Sequence, residues 1–348
     1  MTKLAIRRLA FLTPGNYDDA NPRAGLEQTL ALFEHGEALG FDSAWVRQRH
    51  LEPGVSSAAT FLAAATQRTK RIGLGTAVIQ MGYENPFRLA EDLSLVDVLS
   101  GGRLNVGLSA GPPPFGKLLG ERFFDGDSAA LDFSHARVAR LAANIEGDWL
   151  GEPETRITSA AGEHRPRLRP HAPGLRQRLW YGAGSQRSVR WAAENGFHLL
   201  VGNLNTGEES DDFFATQKRH IETFRTNWRG ESEPNIAVGR VIVPLDGADP
   251  VMRRRYREYA AGRHQRTLAP QGERRTLFTP DLVGTADEIA DRLAADPVLP
   301  LVDTLRLELP YNFAAEDYRQ ILGDFVRLVA PRLGWQLGGD PVQRPAVA

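Results

Sequence analysis

The chain has 348 residues and no cysteine. That absence removes disulfides, thiolate metal sites and thiol nucleophiles, and it suits a reducing compartment, so a cytoplasmic location is expected. An excess of one charge is also missing. With 42 Lys and Arg against 43 Asp and Glu, the formal charge is −1. Nothing in that balance draws the chain to nucleic acid or to an anionic membrane. No apolar run approaches the ~20 residues of a membrane span. The N-terminus (MTKLAIRRLAFLTPG) has too short an apolar run and no cleavage site for a signal peptide. A Gly-x-Ser-x-Gly elbow, a P-loop and a complete dinucleotide fingerprint are absent, and no His-x-x-x-His or His/Glu cluster has metal-ligand spacing. No bound metal is expected.

What is present is a regular alternation of strand-like and helix-like segments. Strands are expected at Arg8–Thr13, Phe41–Gln48, Ile72–Ile79, Leu104–Ala110, Leu179–Ala183, Phe197–Val201, Ile236–Leu245 and Val302–Leu309. Helices are expected at Ala24–Leu39, Ser57–Thr69, Pro86–Leu99, Asp132–Trp149, Ser185–Glu194, Asp211–Trp228, 250–262 and Ala315–Leu333. Thr285 and Glu288 form a capping-box pair ahead of a further helix. An irregular insertion, Gly111–Leu131, and a basic stretch, Arg263–Arg275, read as loops, the second as a mobile one. Alternation of this kind predicts a parallel sheet covered by helices. Eight units predict a closed (β/α)8 TIM barrel with insertions, occupying residues 1–335 as one domain and followed by a disordered tail at 336–348. An open doubly wound sheet is the competing architecture.

Chemistry in such a barrel sits at the C-terminal ends of the strands. The strand from Phe41 ends in Arg47, Gln48, Arg49 and His50. His50 is the acid/base candidate, because imidazole titrates near neutrality. Arg47 and Arg49 read either as an anion site or as a solvated strand end. The segment Tyr181–Trp191 (YGAGSQRSVRW) passes from a strand through a small-residue turn into a helix. Free N–H groups, the helix dipole and hydroxyls there make Gly184, Ser185 and Ser188 a candidate phosphate seat, although an ordinary capped helix has the same pattern.

In order and spacing, Gly40–His50, 72–102 (IGLGTAVIQMGYENPFRLAEDLSLVDVLSGG), Gly182–Gly196 and Val283–Leu293 together resemble the bacterial luciferase-like, flavin-dependent monooxygenases. The resemblance implies a barrel, commonly a homodimer. It also implies reduced FMN supplied by a separate flavin reductase, molecular oxygen, and a small-molecule substrate. A branch of the family uses F420 for hydride transfer instead, and a flavin-binding relative without catalysis is a further alternative. Carried over by position, Thr76 and Ala77 lie under the flavin ring, with a non-proline cis peptide at Ala77–Val78. Ser109 lies near the flavin, and Gly184, Ser185 and Ser188 take its phosphate. The family's Glu-His-His reads Gln48-Arg49-His50 here. His50 and Arg49 thus become the catalytic candidates, Arg49 as an electrostatic group because arginine stays protonated. The family's phosphate-binding arginine aligns with Ala110, which leaves Lys117 or Arg187 to supply that cation.

Overall fold

The computed structural model describes residue 4 and residues 6–337. The expected disordered tail at 336–348 lies, from 338 onward, outside the described residues. Eight strands close into a barrel: β1 (Arg8–Thr13), β2 (Ser43–Val46), β3 (Gly73–Gln80), β4 (Leu104–Ser109), β5 (Leu179–Gly182), β6 (His198–Val201), β7 (Ile236–Arg240) and β8 (Thr304–Glu308). Every ladder is parallel and joins chain neighbours, and β1 closes on β8 with Arg8 opposite Thr304 and Leu12 opposite Glu308. The closed order excludes the open doubly wound sheet.

The helices are α1 (Pro22–Leu39), α2 (Ala58–Arg68), α3 (Pro86–Ser100), α4 (His135–Glu146), α5 (Gln186–Glu194), α6 (Phe213–Thr226), α7 (Pro250–His264), α8 (Ala286–Ala294) and α9 (Ala315–Asp324). Their starts follow from side-chain caps. Asn21, Ser57, Asn85, Ser134, Ser185, Asp212, Asp249 and Thr285 each accept a backbone N–H of the first turn, and Thr285 and Glu288 complete the capping box. Two expected elements change form. The strand expected over Ile236–Leu245 breaks after Arg240, and Ile242–Pro244 leaves the barrel to pair with Leu282–Gly284. The last helix is α-helical only to Asp324, then widens over Phe325–Val329 and tightens over Ala330–Leu333, where Pro331 has no N–H to continue the ladder.

Strand alternation sorts side chains into two layers. Leu305 and Leu307 join the outer core between barrel and helices. Ala10, Leu12, Trp45, Ala77, Trp180, Leu200 and Ala237 form a separate inner cluster, with Trp45 and Trp180 edge to face at 5.6 Å. Arg306 and Glu308, on the opposite parity of β8 to its leucines, are only 3% and 4% exposed. The Glu308 carboxylate accepts from Arg306 Nη2 at 3.3 Å and from Arg47 Nη2 at 3.0 Å. Glycine on the neighbouring strand makes room for it, since a Cβ on Gly239 would lie 2.1 Å from Glu308 Oε1. Burial alone pushes the Glu308 carboxyl up, but Arg47, Arg306 and Arg240 outweigh it and hold the group below the usual carboxylate range.

Removing one partner of a buried ion cluster strands the others. Glu308→Gln should therefore lower unfolding stability by about 3–5 kcal/mol in urea titration at neutral pH. A carboxyl whose folded pKa is depressed contributes fully above the ordinary carboxylate range and loses that contribution as pH falls through its folded value. The gap between wild type and Glu308→Gln should accordingly close in acid.

Candidate functional site

The C-terminal ends of the strands form the barrel mouth. At the end of β2 the buried Gln48 organises its neighbours. Its Oε1 accepts from Ala58 N at 3.0 Å, which fixes the start of α2. Its Nε2 therefore faces the other way, 2.7 Å from Glu84 Oε1 and 3.0 Å from His50 Nε2. An amide N–H there makes His50 Nε2 the acceptor and leaves the ring proton on Nδ1. The His50 ring stacks on Tyr83 at 3.8 Å. Burial lowers its pKa below the ordinary imidazole value. Burial also raises Glu84, against the Gln48 hydrogen bond. The Tyr83 hydroxyl donates to Pro114 O, which ties the proline-rich insertion to the mouth.

Between β3 and β5 the mouth is lined differently. The Ala77–Val78 peptide is cis, as the resemblance implied. Thr76 is fully buried and its hydroxyl is used twice, donating to Gly107 O and accepting from Gly107 N, each at 2.9 Å. It joins β3 to β4 and leaves Ala77 as the residue of that pair facing the inner cluster. Ser109 ends β4, half-buried. After β5, a Cβ on Gly184 would meet nothing within 4 Å, so the turn is open to a ligand. Ser185 caps α5, accepting from Ser188 N at 3.3 Å and donating to Ser188 Oγ at 3.0 Å.

That helix start already holds an anion. The Glu208 carboxylate accepts from Gln186 N at 2.7 Å. Any other anion arriving at this helix start has to displace or share with this side chain. His135, at the start of α4, stacks on Trp191 at 4.5 Å and lies 5.5 Å from Tyr181. Burial lowers its pKa first, and the charge of Arg187 adds to that. Of the two cations considered for the phosphate, Arg187 is on the first turn of α5, and Lys117 is on an exposed helical turn, Gly116–Leu119, of the insertion.

The third side of the mouth was hardest to foresee. Arg49 Nη2 donates to the Tyr311 hydroxyl at 2.9 Å, linking β2 to the loop after β8. The stretch Arg263–Arg275, expected to be mobile, is held at several points. Arg263, on the last turn of α7, grips Asp281 with two bonds of 2.6 and 3.3 Å. Arg266 stacks 4.2 Å from the Phe278 ring centroid. The next residues, Thr276–Phe278, pair antiparallel with Leu204–Thr206 across the mouth.

The Gln48 network makes a prediction about protonation. In wild type, NMR titration should give His50 a pKa below 6.5, as burial dictates. In Gln48→Glu, a carboxylate faces Nε2 and should raise that pKa by at least about one unit.

The sequence profile of luciferase-like monooxygenases matches residues 6–298. The chain is 28% identical to 4-hydroxyprotoasukamycin monooxygenase from Streptomyces nodosus subsp. asukaensis, over 94% of this chain and 85% of that one. It is 37% identical to limonene 1,2-monooxygenase from Rhodococcus erythropolis over 150 residues, 40% of this chain and 38% of that enzyme's length. It is 23% identical to the oxygenase component of the flavin-dependent trigonelline monooxygenase of Acinetobacter baylyi, over 77% and 79% of the two chains. Solved structures share the fold. Monooxygenase RslO1 from Streptomyces bottropensis superposes with a TM-score of 0.68 at 20% identity, covering 93% of this chain and 99% of that one. The oxygenating constituent of Pseudomonas putida 3,6-diketocamphane monooxygenase, in complex with FMN, gives 0.64 at 16%, covering 94% and 98%. An F420-dependent secondary alcohol dehydrogenase gives 0.60 at 16%, covering 94% and 99%. Profile match and barrel topology agree, and the chain belongs to the luciferase-like monooxygenases.

Proposed function

We propose that this chain is the oxygenase component of a two-component monooxygenase. It would take reduced FMN from a separate flavin reductase and insert oxygen into a small organic substrate. The observation that carries the reading is the start of α5. The Glu208 carboxylate already accepts from Gln186 N there, on a first turn that also carries Ser185, Arg187 and Ser188. It opens from the strand next to β4, and so lies on the same side of the mouth as the cis Ala77–Val78 peptide. Bound reduced flavin supplies two electrons and activates oxygen; the protein supplies position, charge and dryness.

Gly184, Ser185 and Ser188 would hold the phosphate, with Arg187 as the cation. Ala77 and Ser109 would lie under the ring, and Thr76 would support them by pinning β3 to β4. Burial lowers the His50 pKa and so favours the neutral ring, which with its proton on Nδ1 would exchange a proton with a reacting group. Tyr83, Phe123 and Phe124 pack edge to face in sequence at 5.7 and 4.9 Å and would supply an apolar wall against water. Leu95, Val98 and Leu99 lie exposed on α3 and support the homodimer the resemblance implies.

An F420-dependent oxidoreductase is the second reading, favoured by the fold shared with the alcohol dehydrogenase and by the arginines of the mouth. Titration with FMN, anaerobically reduced FMN and F420 separates the two. Reduced FMN should bind best, and Ser185→Ala combined with Ser188→Ala should weaken it about tenfold or more. Glu208→Gln removes a negative charge from the seat and should tighten it about two- to fivefold. Preference for F420 moves the reaction to hydride transfer, and binding of neither cofactor contradicts the flavin reading.

A further inference from the structure

The mouth holds a second anion site, on the arc that the phosphate turn leaves free. A cleft of about 140 Å³ opens at the ends of β2, β6, β7 and β8. Arg47, Arg49, Arg263 and Arg266 line it, and Glu308 is the one carboxylate among its lining residues. That carboxylate is committed to Arg47 and Arg306, and Asp281 is committed to Arg263. Arg49 and Arg266 make no ion pair with any described residue. Both are half-buried, and the Nε of each is buried without a hydrogen-bond partner. Five arginines, counting Arg306, thus meet two carboxylates in a partly desolvated space, where uncompensated charge is unfavourable. Burial and the neighbouring Arg263 push the Arg266 pKa down, which reports the same excess.

We propose that this cleft binds the carboxylate of a small organic acid, taken by Arg49 and Arg266, and that the natural substrate carries such a group. Arginine suits this task because its planar fork matches a carboxylate edge with two parallel bonds. The Arg266 guanidinium is stacked on Phe278, an arrangement that orders its plane and leaves its N–H edges for in-plane acceptors. The Tyr311 hydroxyl accepts from Arg49, so its own proton remains available to the same anion. Leu204, Val241, Phe278 and Leu309 supply apolar wall for the body of the acid. The cleft borders β3 on one side and β5 on the other, and Thr206 N on its β6 flank donates to Gly184 O at 2.8 Å, so substrate and cofactor would approach from adjoining arcs. The substrate assignment rests on the flavin reading; the anion site itself does not.

The test is calorimetric titration of the full chain with benzoate, benzenesulfonate and the neutral benzamide, alongside FMN. Benzoate should bind about tenfold tighter than benzamide at low ionic strength, and about 0.5 M NaCl should erode the difference. Benzenesulfonate should fall between them, because its tetrahedral oxygens fit the fork less well. Arg49→Gln and Arg266→Gln should each weaken benzoate about tenfold and leave FMN affinity within about twofold. If one variant fails to fold, the other decides. Equal binding of benzoate and benzamide, no benzoate binding, or binding indifferent to both substitutions overturns the site. Loss of FMN binding in the arginine variants also overturns it, by making the cleft a cofactor-phosphate site. If neither FMN nor anaerobically reduced FMN binds wild type while benzoate binds with the expected arginine dependence, the flavin reading falls and the anion site stands.

Discussion

Glu308 lies inside the barrel between Arg306 and Arg47, and the architecture of the mouth depends on that placement. A buried carboxylate is tolerated only where cations surround it, and these two arginines with Arg240 hold it ionised. The arrangement imposes glycine at position 239, where a Cβ would overlap the carboxylate. It fixes Arg47 inward at the end of β2. The chain then continues through Gln48, Arg49 and His50, whose partners Glu84, Tyr311 and Tyr83 come from other strand ends. One ionic contact deep in the barrel thereby fixes the start of the segment that carries the candidate site residues.

The mouth that results is asymmetric. Toward β3, β4 and β5 it offers a cis peptide, small residues and a helix start that already attracts a carboxylate. Toward β6, β7, β8 and β2 it offers arginines and aromatic rings. Flavin chemistry benefits from such a division, because cofactor and substrate must meet without competing for one anion seat. The strand Thr276–Phe278 is paired with Leu204–Thr206 on one side, and the insertion is tied by Tyr83 on the other.

Most of the barrel was legible in the sequence, because caps and periodicity are local. Asn85 and Pro86 announce α3, Thr285 and Glu288 announce α8, and the eight alternations point to the closed barrel that the structure has. The alternation of Leu305 and Leu307 with Arg306 and Glu308 was visible too, but a two-residue period does not say which face is inside. In an ordinary half-buried strand the charged face is solvated; in this barrel it is buried on glycine. Contacts between distant segments carried no sequence signal. Glu208 on the start of α5 and Tyr311 on Arg49 are examples. The rule that chemistry gathers at strand ends would have flagged Glu308 at the end of β8, just as it flagged His50 near the end of β2. The break after Arg240 was hidden because Ile242–Pro244 is as apolar as the barrel strand before it.

The mouth is proposed to keep cofactor phosphate and substrate carboxylate on separate, adjoining seats. A crystal structure with FMN and benzoate bound tests it most directly. The account predicts the phosphate on Ser185 and Ser188 with Glu208 displaced, and the benzoate carboxylate between Arg49 and Arg266. A phosphate seated among the arginines, with Glu208 still on Gln186, would contradict it.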